Sequence, residues 1–206
     1  IIKDRQYTTK ADSQARRSAQ TALYHIVQAF VRWMSPILSF TAQEAWPLIP
    51  EQSEKYVFTA EWYDIPVPST ANLISEADWQ TLITVKSAVN KQIETARNAK
   101  LIGSNLSAKV ELWANAELKT VLDQFADELR FVLITSTVIV KDFDAAQGEA
   151  TDLDGLRVQV SAAEGEKCVR CWHVLPDVNT HSAHLGLCAR CIINLPSGQG
   201  EERKYA

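Results

Sequence analysis

All four cysteines of the 206-residue chain fall between Cys168 and Cys191, as two pairs. The first is Cys168-Val-Arg-Cys171 and the second, sixteen residues on, is Cys188-Ala-Arg-Cys191. A two-residue gap lets both thiolates of a tight turn face one point. Two such turns offer four sulfurs at the corners of a tetrahedron, a donor set that suits zinc, which imposes no geometry of its own and pairs well with soft thiolate. The spacing between the pairs also fits zinc sites of this kind. Four thiolates leave no open coordination position, so one structural ion is expected. Residues 163–206 around it are too polar to bury a core unaided, and the metal would supply on the order of 10 kcal/mol of their folding free energy.

Other uses of the same residues fit less well. Paired disulfides belong to small secreted domains, and this longer chain has no signal-like apolar start. A C-x-x-C can be a redox pair, but duplicated knuckles suit a metal better, with iron as the main alternative ion. His173, His181 and His184 lie within the segment and could replace a sulfur, yet four thiolates already suffice, so surface positions are expected for them. No other chemistry assembles. There is no Gly-x-x-x-x-Gly-Lys phosphate loop, no spacing that suggests a Ser–His–Asp triad, and no carboxylate pair on an apolar face. His25 sits among apolar helical residues as a core or flanking histidine. From residues alone, the chain is a binding module with a structural metal.

The elements that must carry this module are read from composition and periodicity. Apolar residues make up 46% of the chain and charged ones 22%, the balance of an ordinary globular protein. No apolar run approaches the roughly 20 residues that span a bilayer. The net charge is −4, but it is unevenly spread. Residues 1–35 carry six Lys/Arg against two Asp, a balance of +4, while residues 36–75 come to −4 and 101–161 to −5. A basic end joined to acidic segments allows a local anionic partner. The chain starts Ile1-Ile2-Lys3-Asp4, without methionine, and reads as a piece of something longer.

From Ser13 to Ser35, Ala19, Leu23, Ile26, Phe30 and Trp33/Met34 recur at helical spacing, and Pro36 should end that helix. Thr41-Ala-Gln-Glu44 reads as a capping box opening a second, shorter helix limited by Pro47 and Pro50. Two antiparallel helices of a bundle follow. An ordered loop with Tyr56, Phe58, Trp62 and Tyr63 covers them through residue 74. Ser75-Glu-Ala-Asp78 caps a long helix with Trp79, Leu82, Val85, Val89, Ile93 and Ala96 on one face. Its cations Lys86, Lys91, Arg97 and Lys100 lie elsewhere, where a solvated face is the plain reading. Strand 108–114, helix 116–130, an apolar β-branched run 131–141 and strand 156–160 complete a small α+β unit of two helices on about three strands. The fold class expected is thus mainly α with a small α+β part. Its divisions are a helical bundle with covering loop at 1–74, an α+β junction at 75–162 and a four-cysteine zinc module at 163–206.

Four stretches carry a resemblance: Ile1-Ile-Lys-Asp-Arg-Gln-Tyr-Thr8, Arg32-Trp-Met-Ser-Pro-Ile-Leu-Ser-Phe-Thr-Ala-Gln-Glu-Ala-Trp46, Lys100-Leu-Ile-Gly-Ser-Asn-Leu-Ser-Ala108, and Glu166-Lys-Cys-Val-Arg-Cys-Trp172 through Cys188-Ala-Arg-Cys191 to Arg203-Lys-Tyr-Ala206. Together they resemble the C-terminal region of bacterial isoleucyl-tRNA synthetases, which are class I aminoacyl-tRNA synthetases. The second stretch is similar to a bundle signature shared with the valyl and leucyl enzymes; the zinc ending singles out the isoleucyl family. The resemblance implies a parent ligase that activates isoleucine with ATP, attaches it to tRNA and hydrolyses mischarged valine. The catalytic and editing sites would lie upstream of Ile1. It further implies a cytoplasmic, monomeric protein in which bundle and zinc module hold the anticodon stem-loop of isoleucine tRNA.

On that resemblance the cations acquire a role. Anticodon bases can be splayed onto aromatic or guanidinium planes, with Lys and Arg on phosphates. Trp172, flanked by Arg170 and His173 on a rigid knuckle, is expected to stack on the loop, or else to pack over the knuckle as a miniature core. Arg170 and Arg190 are expected at phosphates or base edges, and Arg16, Arg17, Arg32, Lys86, Arg97 and Lys100 at phosphates. Two other classes compete: the zinc finger of formamidopyrimidine-type DNA glycosylases, which need an N-terminal proline nucleophile absent here, and a zinc ribbon serving protein contact only.

Overall fold

The computed structural model describes residues 1–67 and 74–206. Residues 68–73 of the expected covering loop lie outside the described residues. The chain divides into two units, one of residues 16–73 and one of 1–15 with 74–206. The sequence reading grouped residues 1–15 with the helical part; here they group with 74–206, through side-chain bonds detailed below.

The unit of residues 16–73 is built on helix α2 (Gln14–Met34) and the shorter α3 (Ser39–Ala45). Its core is Val31, Ala42, Trp46, Ile49 and Val57, with Tyr24 and Val27 packed against it. This departs from the expected stripe. Ile26, Phe30 and Trp33 are exposed, because α2 carries apolar residues on more than one face and α3 and the following loop cover only the Tyr24–Val27–Val31 side. The expected Thr41 cap is also displaced. Pro36 ends α2 in a turn where Ile37 and Leu38 donate to the Met34 carbonyl, and α3 starts directly after it, leaving Thr41 inside the helix. Arg32 is immobilised here, donating to the Glu61 and Gln28 carbonyls with its guanidinium 4.6 Å from the Trp46 ring centroid.

In the other unit the short α1 (Ile2–Tyr7) precedes the long α4 (Glu76–Asn98). Ser75 caps α4 as expected, its Oγ accepting the Asp78 N–H at 3.1 Å. Strands β1 (Ala108–Ala114), β2 (Thr137–Asp142), β3 (Glu149–Ala150) and β4 (Leu156–Ala162) make a sheet in the order β2-β1-β4-β3. β2 runs parallel to β1, and β4 runs antiparallel to both β1 and β3. The parallel pair needs a crossover. It is made by α5 (Ala116–Asp123), capped by Asn115, and by α6 (Leu129–Leu133). The single helix expected over 116–130 is broken by a 3-10 turn at Ala126–Glu128, where Ala126 takes φ 42°. One face of the sheet and one face of α4 bury a common core of Leu82, Val85, Val89, Ile93, Val110, Leu112, Leu122, Phe125, Leu133, Leu156 and Val158.

The chain continues into the hairpin of β5 (Glu166–Lys167) and β6 (Val174–Leu175), then α7 (Ala189–Ile193). Val174 N–H donates to Ser136 Oγ at 2.7 Å, tying this hairpin to the start of β2. The last residues fold back: the Lys204, Tyr205 and Ala206 amides all donate to the Glu128 carboxylate, and Tyr205 packs on Phe125. No helix among the described residues is long and apolar enough to cross a membrane.

Candidate metal centre and nucleic-acid interface

The first knuckle is the turn between β5 and β6. Cys168 N–H donates to the His173 carbonyl and Trp172 N–H to the Cys168 carbonyl, each at 2.9 Å. This closure requires a left-handed residue, and Trp172 supplies it at φ 67°. The second knuckle opens α7: Cys188 stands at its N-terminal boundary, Cys191 lies within it, and Asp177 accepts the Ala189 N–H at 2.7 Å. The knuckles are stitched by Val169 N–H to the Gly186 carbonyl and by Cys188 N–H to Cys168 Sγ.

The result brings all four sulfurs within 4.8 Å of one another, every one buried. Cys171 and Cys188 Sγ are 3.7 Å apart. Hydrogen bonds from Cys171 and Cys191 pull the Cys188 thiol down, while Cys171 is pushed up chiefly by its bond with Cys188, and Cys191 by its bonds with Cys171 and Cys188. Four thiolates so close repel, and a divalent cation at their centre would permit all to ionise. The donor set is soft, closed and without room for a substrate, as a structural zinc requires.

Around this centre the candidate contacts separate. Trp172 is 59% exposed, with Lys167 Nζ 5.4 Å from its ring centroid, so it is no miniature core over the knuckle. Val169 and Leu185 are exposed as well. Arg170 is half-buried and donates to the Cys191 carbonyl at 3.1 Å. Arg190 corrects the sequence reading. It is buried and donates to both carboxylate oxygens of Asp4, to both of Glu201 and to Thr8 Oγ1, with its guanidinium 4.6 Å from the Phe131 ring centroid. A guanidinium so buried and so engaged is not presented to an RNA. His173 likewise lies inside, 2% exposed and edge-on to Phe131, and burial lowers its pKa to about 4.

On α4, Lys86 is half-buried, and Arg97 is exposed but paired with Glu94 at 2.7 Å. Lys100 is exposed just beyond the helix, and with Arg97, Asn98, Ile102 and Gly103 it lines an open cavity of about 390 Å³. In the unit of residues 16–73, Arg16 is half-buried, Arg17 exposed, and Arg32 held as described. Sequence reasoning missed Arg130 and Arg203, both of which reach the Phe131 ring. No local pattern marks Arg203, whose ring contact lies far along the chain, and no motif surrounds Arg130 beside Phe131.

Residues 1–112 match the family described as the anticodon-binding domain of tRNA ligase, and residues 165–193 match a zinc finger found in FPG and IleRS. The chain belongs to the anticodon-binding family of tRNA ligases. With the second match, the clustered sulfurs define a site for one structural zinc ion. The chain is 82% identical over 206 residues to an isoleucine–tRNA ligase of Acinetobacter baylyi, covering all of this chain and 22% of the relative. It is 51% identical over 209 residues to isoleucine–tRNA ligases from two serotypes of Actinobacillus pleuropneumoniae, again covering 22% of each. The chain thus spans about a fifth of the length of the curated relatives it matches.

Proposed function

We propose that this chain is the part of an isoleucine–tRNA ligase that grips the anticodon stem-loop of isoleucine tRNA. On this reading the parent enzyme attaches isoleucine using ATP, in the cytoplasm and as a monomer, with catalysis and editing carried by other domains of the same polypeptide. Cys168, Cys171, Cys188 and Cys191 hold the zinc; the ion, when bound, stiffens the knuckles and takes no part in chemistry. α2 and α3 belong to a helical bundle, residues 75–162 form the junction, and residues 163–206 the metal module, with residues 1–15 joined to the latter two.

One observation carries the RNA reading: a large aromatic stands exposed, in a left-handed conformation, on a knuckle fixed by two cysteines of the metal site. A rigid aromatic platform suits an unstacked base. Arg170 beside it and Arg16, Arg17, Arg32, Lys86, Arg97 and Lys100 are assigned to phosphates; Arg190 is withdrawn from that set. The formamidopyrimidine-glycosylase alternative draws on residues 165–193 alone. A footprint of isoleucine tRNA by the zinc-loaded chain tests the proposal. Protection of the anticodon loop that weakens steeply with salt supports it. Protection of duplex DNA instead, or of neither, overturns it.

A further inference from the structure

In the unit of residues 1–15 and 74–206, the Arg130 guanidinium forms neither a hydrogen bond nor an ion pair among the described residues. Three guanidiniums surround the Phe131 ring, those of Arg130, Arg190 and Arg203 at 4.8, 4.6 and 3.3 Å from its centroid. Arg190 and Arg203 share Asp4 and Glu201. Glu128, close by in sequence, has given its carboxylate to the amides of residues 204–206. Arg130 is left over. Its Nε is buried without a hydrogen-bond partner, and it forms no ion pair among the described residues. Burial first, then the neighbouring Arg190 and Arg203 charges, lower its pKa, against the smaller opposing pull of Asp127 and Glu201.

Arg130 is also not sealed in. With Ala126, Asp127, Ser136, Thr137 and Val138 it lines a cavity of about 170 Å³. Ser136 Oγ is committed, accepting from Val174 N–H and donating to the Leu106 carbonyl, whereas the Thr137 hydroxyl makes no hydrogen bond among the described residues. Thr137 opens β2, an edge strand whose alternate amides have no ladder partner. The cavity therefore brings together a half-buried guanidinium with an unpartnered Nε, a hydroxyl with no hydrogen bond and the edge of β2. Asp127, exposed at the rim, opposes an anion, but water screens it far more than it screens Arg130. A metal cation would be repelled, and a neutral ligand would leave the imbalance unchanged.

We propose that this cavity is an anion site that takes one phosphate group, gripped by the Arg130 guanidinium and the Thr137 hydroxyl. Guanidinium meets phosphate bidentately, and the Arg130 fork is steadied by the Phe131 ring 4.8 Å away. The phosphate has two sources of the same chemistry, inorganic phosphate and a phosphate of the RNA backbone; the second rests on the function proposed above.

The test is a titration of the zinc-loaded chain with inorganic phosphate at constant ionic strength, following arginine Nε–Hε resonances by NMR with chloride as control. The Arg130 resonance is expected to shift saturably with phosphate and not with chloride. Arg130→Gln should abolish the effect, and Thr137→Val should weaken phosphate binding roughly 2- to 10-fold, the loss of one hydrogen bond. Thr137→Val keeps a good strand former at the cavity mouth, so it folds even where Arg130→Gln, which loses its packing on Phe131, does not. Absence of a saturable shift, or phosphate affinity indifferent to Thr137→Val, overturns the site. The source is then read from isoleucine tRNA: a salt dependence shallower by about one phosphate contact in Arg130→Gln assigns the RNA backbone. An unchanged slope, or no RNA binding at all, assigns free phosphate and leaves the site standing even where the RNA reading fails.

Discussion

Arg190, which sits between Cys188 and Cys191, grips Asp4 with both terminal nitrogens, at 2.6 and 3.1 Å. The bond joins the second metal knuckle to α1 across 186 positions of sequence. Glu201 and Arg203 complete the lattice, and Thr8 adds a hydroxyl, so the cation faces inward from both sides. Its job is attachment.

Truncating that arginine leaves two carboxylates short of a partner in a buried setting. Arg190→Met should cost about 3–5 kcal/mol in denaturant unfolding of the zinc-loaded chain. Arg190→Lys should recover only part of it, since an ammonium cannot serve Asp4 and Glu201 with a planar fork. Zinc content measured in both variants separates loss of the lattice from loss of the metal.

Removing zinc should reach beyond the knuckles. With the chelator-treated chain, hydrogen exchange is expected to rise over residues 165–193 and also over α1, which Arg190 and Arg203 together hold through Asp4. The sheet core around Leu112 and Val158 should stay protected. Unchanged exchange at α1 would show that its attachment does not depend on the metal.

Acid should loosen the same lattice. Burial alone would raise the Asp4 and Glu201 carboxyls, but the charges and hydrogen bonds of Arg190 and Arg203 hold both below their ordinary values of 3.8 and 4.5. A depressed carboxylate contributes stability that is complete above its unfolded value and lost as pH falls through the folded one. The contribution should therefore be flat from neutral pH to about 5 and decline below about 4.5. The gap in unfolding free energy between wild type and Asp4→Asn is expected to shrink over that acidic range.

Trp172→Ala should leave fold and zinc content unchanged, because the side chain is exposed. Relief of its left-handed conformation does not follow, since alanine is disfavoured there too. Affinity for isoleucine tRNA should fall by about 1–3 kcal/mol, the worth of one stacked base. Equal affinity in a direct binding titration would remove Trp172 from the interface.

Gly165→Ala tests the entry to the metal hairpin. The glycine takes φ 106°, and a Cβ there would lie 2.3 Å from the Leu175 carbonyl. Backbone cannot yield as a side-chain tip can, so the variant should lose at least about 1–3 kcal/mol. Faster zinc release to a chelator is the measurement.

The metal cluster was legible in the sequence because its ligand spacing is local, and β1 and the Ser75 cap were legible for the same reason. Thr41 misled because Pro36 had already set the turn from which α3 starts. The helix over 116–130 misled because periodicity continues through Ala126 while the backbone does not. Ile26, Phe30 and Trp33 showed the right period but the wrong face. Arg190 looked like a surface cation because nothing near it in sequence reveals Asp4. Contacts that close over such distances leave no local pattern to read.

The link from Asp4 to Arg190 also sets an order of events on the ribosome. At 5–20 residues per second, about 10 to 40 s separate the two ends of that bond during translation. α1 thus emerges before the knuckle that receives it and lacks this bond until that knuckle has been made.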